Sequence, residues 1–181
     1  MERPHGPWTI QDSSPKYQNA FIEVVEDRVI RPDGKPGDYA TVALMPGVAI
    51  LPVDRHGTAY LTRQFRYAIG RQSIEVASGG VDEGEGPREA ARREAREELG
   101  IEADDWVELG RIDLDTSIVR CPVHLFLARS LSFRQSRREG TESMEMVQVP
   151  FAEAVHLVRE GAIRHGPSCV LILMARESLG I

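Results

Sequence analysis

Three glutamates lie close together in the sequence REAREE, residues 93 to 98. On a helix, Glu94 and Glu98 occupy one face a turn apart, with about 6 Å between their Cβ atoms, and Glu97 lies on the same edge. Like charges at this spacing destabilise a helix by roughly 0.2–0.5 kcal/mol, and the helix dipole disfavours an anion in the last turn. A solvated surface helix is one interpretation, because Arg93 is spaced for an ion pair with Glu97. The repulsion between Glu94 and Glu98 favours a second interpretation, in which these acids bind a cation.

A divalent cation would give these glutamates a chemical role. Mg²⁺ takes hard oxygen ligands, and it commonly uses one or two carboxylates together with substrate phosphates. The segment before the helix, GGVDEGEGP (79–87), is rich in glycine, so its backbone can approach a ligand closely and offer carbonyl oxygens. The pattern therefore predicts metal-assisted chemistry on a phosphate compound.

Local signals place the glutamates on a helix from Pro87 to Leu99. Proline is favoured in the first turn, and Gly100 lies just past the expected end. Ala91, Ala95 and Leu99 recur at helical spacing and form a narrow apolar stripe for packing. We therefore expect this stripe to pack against the rest of the fold.

Strand-forming segments surround the helix, and the Asp-Gly and Pro-Gly pairs of RPDGKPG predict a turn between the first two. Two further helices are expected at residues 151–160 and 167–178, and residues 1–16 are expected to form a loosely held arm. The alternation predicts an α/β fold with a mixed sheet between helices. The predicted strands are NAFIEVVEDRVI (19–30), YATVAL (39–44), GVAILPVD (47–54), TAYLTRQFRYA (58–68), SIEVAS (73–78), WVELGRIDL (106–114), VHLFLARSL (123–131) and MVQVPF (146–151).

The composition narrows the class of protein. With 181 residues and a net charge of −6, the chain is long enough for one domain and lacks the basic footprint of a nucleic-acid binder. No apolar run approaches the roughly 20 residues of a membrane span, and the N-terminus does not read as a secretory signal. Cys121 and Cys169 are expected to be reduced thiols of a cytoplasmic protein. His124 lies in an apolar strand and His165 lies near a surface helix, so both are expected to have structural roles and not to be ligands.

Residues 79 to 101 also fit a longer pattern of fixed positions. Five residues separate Gly79 from Glu85, and seven more lead to REAREELGI (93–101). This stretch resembles the Nudix box, G-x5-E-x7-R-E-U-x-E-E-x-G-U with U aliphatic, and Ala95 is a small residue for the first U. The resemblance implies an α/β/α sandwich with a mixed sheet. It also implies hydrolysis of a nucleoside diphosphate linked to another group, by a metal-activated water.

The resemblance implies a ligand set for the metal, Mg²⁺ with Mn²⁺ as the alternative. Glu94 and Glu98 are the expected principal ligands, and Glu97 binds directly or through water. The carbonyl of Ser78 is the expected backbone ligand, and Gly79 is expected at the substrate.

Three further positions of the box are expected to be structural. Glu85 and Arg93 are expected to pair and to tie the loop to the helix. Gly100 is expected to end the helix.

The stretch before the box, YLTRQFRYAIGRQSIEVASGG (60–80), resembles that of ADP-ribose and related nucleotide-sugar diphosphatases. In that subfamily the arginine that matches Arg66 reaches a substrate phosphate, and a surface salt bridge is the alternative. Arg71 and Glu75 are further substrate-binding candidates. The resemblance thus implies a nucleotide-sugar substrate.

The N-terminal hairpin carries the same resemblance. It implies a β-hairpin element at residues 1–45 that packs on, or exchanges with, a second subunit and helps to build the nucleoside pocket. Residues 46–181 then form the Nudix domain, and a homodimer is expected.

A general base is expected on a loop after the box. REGTESMEMVQVPF (138–151) resembles the subfamily's acidic pattern and aligns Glu142 and Glu145 with its recurring acids. Glu142 is the favoured base, and Glu145 is the second candidate. Glu94 itself is the third, as in some Nudix relatives.

The sequence departs from the subfamily pattern at one place. ADP-ribose diphosphatases usually carry a proline-containing loop about 15 residues after the box, whereas here the aligned position is near Thr116 and Pro122 comes too late. Other nucleotide sugars therefore gain weight as substrates. The alternatives are a dinucleoside polyphosphate or a coenzyme as substrate, or a ligand sensor without catalysis.

Overall fold

The computed structural model describes residues 2–134 and 144–180. It divides into an N-terminal unit, Met1–Met45 with Asp113–Cys121, and a main unit, Pro46–Ile112 with Pro122–Ile181. Within the described residues, the strands are β1 (Arg3–His5), β2 (Trp8–Gln18), β3 (Ile22–Ile30), β4 (Pro36–Leu44), β5 (Gly47–Pro52), β6 (Thr58–Arg66), β7 (Arg71–Glu75), β8 (Ala77–Gly80), β9 (Ile101–Asp113), β10 (Val119–Arg120), β11 (Pro122–Phe133) and β12 (Glu145–Pro150). The α-helices are α1 (Pro87–Leu99), α2 (Phe151–Arg159) and α3 (Gly166–Leu179), and a short 3₁₀ turn occupies Tyr67–Ile69.

The N-terminal unit is a sheet in the order β1-β2-β3-β4-β10. Its first four strands pair antiparallel, and β10 pairs parallel with β4. The turn predicted in RPDGKPG is confirmed. Gly34 donates its N–H to the carbonyl of Arg31 at 2.9 Å, and its φ of 79° lies in the region that favours glycine.

The first residues correct one expectation from the sequence. Residues 2–16 are not a loosely held arm, because β1 pairs with β2 and β2 pairs with β3. Ile10 is buried opposite Val29, and Trp8 contacts Tyr39 edge to face with ring centroids 5.5 Å apart. The segment is polar, so its composition did not indicate a strand. The strand forms because its pairing partner, β3, lies further along the chain.

The main unit is built on a mixed sheet in the order β8-β5-β11-β9, with β11 parallel and β8 antiparallel to β5. Successive strand residues point to opposite faces. Val48 and Ile50 belong to the apolar cluster that includes the inward stripe of α1. Ala49 and Leu51 point the other way and are also buried, on strands that contact α3. Helices thus cover both faces, which confirms the predicted α/β/α sandwich.

The remaining strands form a three-stranded antiparallel sheet in the order β12-β6-β7. Cys121 and Cys169 are both free thiols. Among the described helices, none is long and apolar enough to cross a membrane.

Candidate active site

The helix α1 has the bounds that the sequence predicts. Pro87 lies in its first turn, and Gly100 ends it with a φ of 64°, donating its N–H to the carbonyls of Ala95 and Arg96. Ala90, Ala91, Ala95 and Leu99 are buried on one face. Glu94 and Glu98 adjoin this stripe and are partly buried, whereas the exposed side of the helix carries Arg92 and Arg96.

Glu94 lies directly against β8. Its side chain is 13 % exposed, and a Cβ added at Gly79 would lie 2.0 Å from its Cδ atom, so only glycine permits this approach. Burial raises the pKa of Glu94 above its ordinary value, while the hydrogen bond from Arg93 opposes the shift. The positively charged Arg93 therefore favours the ionised form of the Glu94 carboxyl.

Glu98 contacts the same strand one residue earlier. Its Oε2 atom accepts a hydrogen bond from the backbone N–H of Ser78 at 3.1 Å. Ser78 is held in register by β5, where it pairs with Ala49. Two carboxylates from one helix face thus lie against two successive residues of β8.

Arg93 joins the glycine-rich loop to the helix. Its Nε and Nη2 atoms donate to the two carboxylate oxygens of Glu85 at 3.1 and 3.0 Å, and Nη2 also donates to the carbonyl of Gly80 at 2.8 Å. Its Nη1 atom donates to Glu94 at 2.6 Å and to Glu97 at 3.4 Å. The guanidinium therefore fixes the loop and balances the charge of the acids.

The pKa values of this pair reflect mutual stabilisation. The hydrogen bond to Glu85 raises the pKa of Arg93, with Glu94 contributing further, and the bond from Arg93 lowers the pKa of Glu85. Both groups are therefore charged at neutral pH, and their two-pronged contact is geometrically specific.

The oxygen-rich site suits a hard divalent ion in ligand type and in the placement of Glu94 and Glu98. Glu97 lies nearer to solvent, since its side chain is 41 % exposed whereas that of Glu94 is 13 % exposed. Across residues 2–134 and 144–180, no three acidic, His or Cys side chains are grouped closely enough to hold a metal ion. The residues thus fit the predicted metal through two carboxylates and the adjacent strand β8.

Arg66 and Glu75 form a second charged pair, across the β6–β7 hairpin. Arg66 donates from Nε to both oxygens of Glu75, at 3.2 and 3.1 Å, and from Nη2 to Oε2 at 2.5 Å. Glu75 is 3 % exposed, and Arg71 is an exposed residue in register with Arg66. The structure therefore contains the salt bridge of the alternative interpretation, but its acid is buried.

Two residues at the start of α3 reach the same pair, and the sequence interpretation assigned neither of them a role in the site. The Nδ1 atom of His165 lies 3.5 Å from Oε2 of Glu75 and 2.8 Å from the hydroxyl of Ser168. The Ser168 oxygen accepts the backbone N–H of Val76 at 3.0 Å. No local sequence signal linked these residues to Glu75, since they lie about 90 positions further along the chain.

Two families match the sequence. The family described as NUDIX domain matches residues 43–167, and the nucleoside diphosphate sugar hydrolase N-terminal domain matches residues 8–42. The chain is a Nudix hydrolase.

Named relatives cover most of this Nudix hydrolase. It is 28 % identical to an ADP-ribose pyrophosphatase of Bacillus subtilis (strain 168) over 167 residues, which is 90 % of each chain. It is 32 % identical over 142 residues to a GDP-mannose pyrophosphatase of Klebsiella pneumoniae, covering 73 % of this chain and 71 % of the relative. A crystal structure of an ADP compounds hydrolase superposes with a TM-score of 0.83 at 20 % identity, covering 96 % of this chain and 94 % of that one. That superposition supports the Nudix fold.

Three glutamates are the candidates for the general base of this Nudix hydrolase. Glu145 contacts Arg63 of β6 at 3.2 Å, and its carboxylate is exposed. Glu142 lies outside the described residues. Glu94 lies at the box, as described above.

Acidification is expected to destabilise this Nudix hydrolase through His165. Burial lowers the pKa of His165 below 6.5; the charge of Glu75 opposes the shift and that of Arg66 adds to it. The unfolded chain takes up a proton near pH 6.5, whereas folded His165 does so only at lower pH. The free energy of unfolding therefore falls as the pH drops through about 6.5. Denaturant unfolding between about pH 7.5 and 5.5 measures this slope.

His165→Gln should reduce the slope, because glutamine does not titrate. His124→Gln is the matched control, since His124 also pairs with a glutamate, Glu108, at 2.7 Å. An unchanged slope in His165→Gln would contradict the assignment.

Proposed function

We propose that this protein hydrolyses the diphosphate of ADP-ribose or a related nucleoside diphosphate sugar, giving a nucleoside monophosphate and a sugar phosphate. The observation that carries the proposal is the placement of Glu94 and Glu98 against Ser78 and Gly79. The match of residues 8–42 to a nucleoside diphosphate sugar hydrolase domain, together with the names of the relatives, supports this substrate class.

The proposed ligands of the divalent ion are Glu94, Glu98, Glu97 and the carbonyl oxygen of Ser78. Mg²⁺ is the proposed ion, with Mn²⁺ as the alternative, because all four ligands are oxygens. When bound, the ion supplies charge neutralisation on the diphosphate and a lowered pKa for a bound water. The chain itself supplies the carboxylates from α1 and the Ser78 carbonyl from β8.

Arg93, Glu85 and Gly100 have structural roles in this proposal. The contacts of Arg93 to Glu85 and to the carbonyl of Gly80 keep the loop beside the helix. Gly100 ends α1 after Glu98. Gly79 is proposed to lie at the substrate, beside the Glu94 carboxylate that its missing side chain allows against β8.

Arg66 is proposed to bind a substrate phosphate, with Arg71 and Glu75 as supporting residues. The described hydrogen bonds of Arg66 use Nε and Nη2, so its Nη1 edge can receive an anion. Its side chain is 37 % exposed, which leaves that edge accessible. The salt bridge to Glu75 thus orients the guanidinium and leaves its Nη1 edge available for a phosphate.

Proton removal from the attacking water is assigned to Glu142 first, then Glu145, then Glu94. A base must lie within hydrogen-bond reach of that water in the substrate complex. Glu142→Gln and Glu145→Gln, compared side by side, separate the first two candidates.

Base and sugar selectivity are proposed to depend on the segment around Thr116. This segment belongs to the N-terminal unit, which contains a cavity of about 540 Å³ lined in part by Trp8, Tyr39, Thr116 and Ser117. We further propose that residues 1–45 act in a homodimer, that residues 46–181 form the catalytic domain, and that the protein works in the cytoplasm.

A substrate panel tests the proposed function. ADP-ribose, GDP-mannose, other nucleotide sugars, a dinucleoside polyphosphate and a coenzyme are incubated with Mg²⁺ or Mn²⁺, and products are separated by chromatography. We expect the nucleotide sugars to give a nucleoside monophosphate with the highest kcat/KM. Preference for a dinucleoside polyphosphate or coenzyme would favour the alternative enzyme, and tight binding without turnover would favour a sensor.

A further inference from the structure

A closed ring of contacts links the start of α3 to the β6–β7 hairpin. Val76 follows Glu75 in the chain and donates its N–H to Ser168, Ser168 contacts His165, and His165 approaches Glu75. Ser168 is fully buried, so its hydrogen bond with Val76 is shielded from water. Glu75 is therefore held from its backbone side and from its carboxylate side by one helix start.

Ser168 and His165 share one polar contact within the ring. The Ser168 oxygen accepts the N–H of Val76 at 3.0 Å, and its second lone pair and its proton allow the contact with the Nδ1 atom of His165 at 2.8 Å. The same Nδ1 atom lies 3.5 Å from Oε2 of Glu75, the carboxylate that pairs with Arg66. The imidazole therefore contacts both the Ser168 hydroxyl and the carboxylate of Glu75.

The carboxylate of Glu75 determines how the guanidinium of Arg66 is oriented. A guanidinium bound through Nε and Nη2 loses rotational freedom and presents its remaining edge in one direction. Loss of the imidazole would open space beside Oε2 of Glu75, and the carboxylate could rotate away from the Arg66 fork.

We infer that His165 and Ser168 are positioning residues that hold Glu75, and through it the guanidinium of Arg66, in the orientation that receives a substrate phosphate. The inference rests on the proposed function, since it requires Arg66 to bind a diphosphate. A purely structural role is the competing explanation, because His165 also precedes the first turn of α3 as its N-cap.

A double-mutant cycle on KM for ADP-ribose with Mg²⁺ separates the two explanations. His165→Ala should raise KM about tenfold with kcat changed less than about twofold, because it weakens ground-state and transition-state binding equally. In an Arg66→Ala background, His165→Ala should add less than about twofold. An equal KM increase in both backgrounds would overturn the inference.

Two controls complete the cycle. His165→Asn retains a polar atom near the Nδ1 position and should restore KM to within about threefold of wild type, since conservative replacement preserves the contact. His124→Ala removes the imidazole of the His124–Glu108 pair and should leave KM unchanged. A tenfold increase with His124→Ala would make the effect unspecific and would also refute the inference.

A readout without turnover separates this inference from the proposed function. Solvent exchange of the Arg66 Nε–H proton, measured by ¹⁵N NMR and assigned with Arg66→Lys, should be slow in wild type and about tenfold faster in His165→Ala, because a loosened ion pair opens more often. If wild type hydrolyses no nucleotide sugar, the proposed function fails, and this exchange rate still reports on the ring. Equal exchange rates in both proteins would refute positioning by His165.

Discussion

Glu98→Gln is expected to lower kcat by about three orders of magnitude while the protein stays folded. Loss of a charged metal ligand removes several kcal/mol of charge stabilisation, and each 1.4 kcal/mol corresponds to about tenfold in rate. The amide oxygen of glutamine can still accept the Ser78 N–H that Glu98 accepts at 3.1 Å. The variant therefore removes the charge and keeps the local contact. Steady-state kinetics with saturating Mg²⁺ measures the effect, and circular dichroism checks the fold.

Glu102→Gln is the matched control for this prediction. It removes the same charge from an exposed glutamate that pairs with Arg134 at 3.3 Å, in the same unit of the protein. Its kcat should stay within about twofold of wild type, as expected for a surface ion pair. A near-normal kcat for Glu98→Gln would refute the metal role of Glu98.

Gly79→Ala is expected to lower kcat/KM by about a hundredfold through displacement of Glu94. The added Cβ would lie 2.0 Å from Cδ of Glu94 and 2.5 Å from its Oε2 atom, so the carboxylate must move. A shift of about 1 Å in a catalytic group can cost about two orders of magnitude. The activity of Gly79→Ala and its affinity for Mn²⁺, measured by titration calorimetry, should fall together.

Gly47→Ala adds the same methyl group in the same sheet. There the nearest atoms would lie 3.5 Å away, which is ordinary contact, so activity should stay near wild type. Wild-type metal affinity in Gly79→Ala would show that the carboxylate of Glu94 is not a ligand at that position.

Local signals made the helix α1 predictable. Pro87 and Gly100 act within their own turns, and the alanine stripe needs only a neighbouring sheet, so the bounds and the inward face follow from sequence. The contact of Arg93 with Glu85 was expected from the Nudix box and spans only the first turns of α1. The confirmed α/β/α sandwich likewise follows from the order of strands and helices.

Contacts between distant segments were not predictable. The strand nature of Trp8–Gln18 depends on pairing with β3, and a polar composition gives no periodic signal for it. His165 lies 90 positions after Glu75, so no local spacing linked the two. In both cases tertiary packing brings distant residues together, and such packing overrides the local preference of the sequence for a type of secondary structure.

The N-terminal sheet is discontinuous along the chain, and this affects the order in which it can form. Its outer strand β10 comes from Val119–Arg120, and Ile118 and Ser117 accept bonds from Val42 and Tyr39. During synthesis, β4 therefore keeps an open edge until about seventy-five further residues have been made, a non-local closure that slows folding. The ribosome completes the helix that carries Glu94 and Glu98 before the sheet at the start of the chain can acquire its last strand.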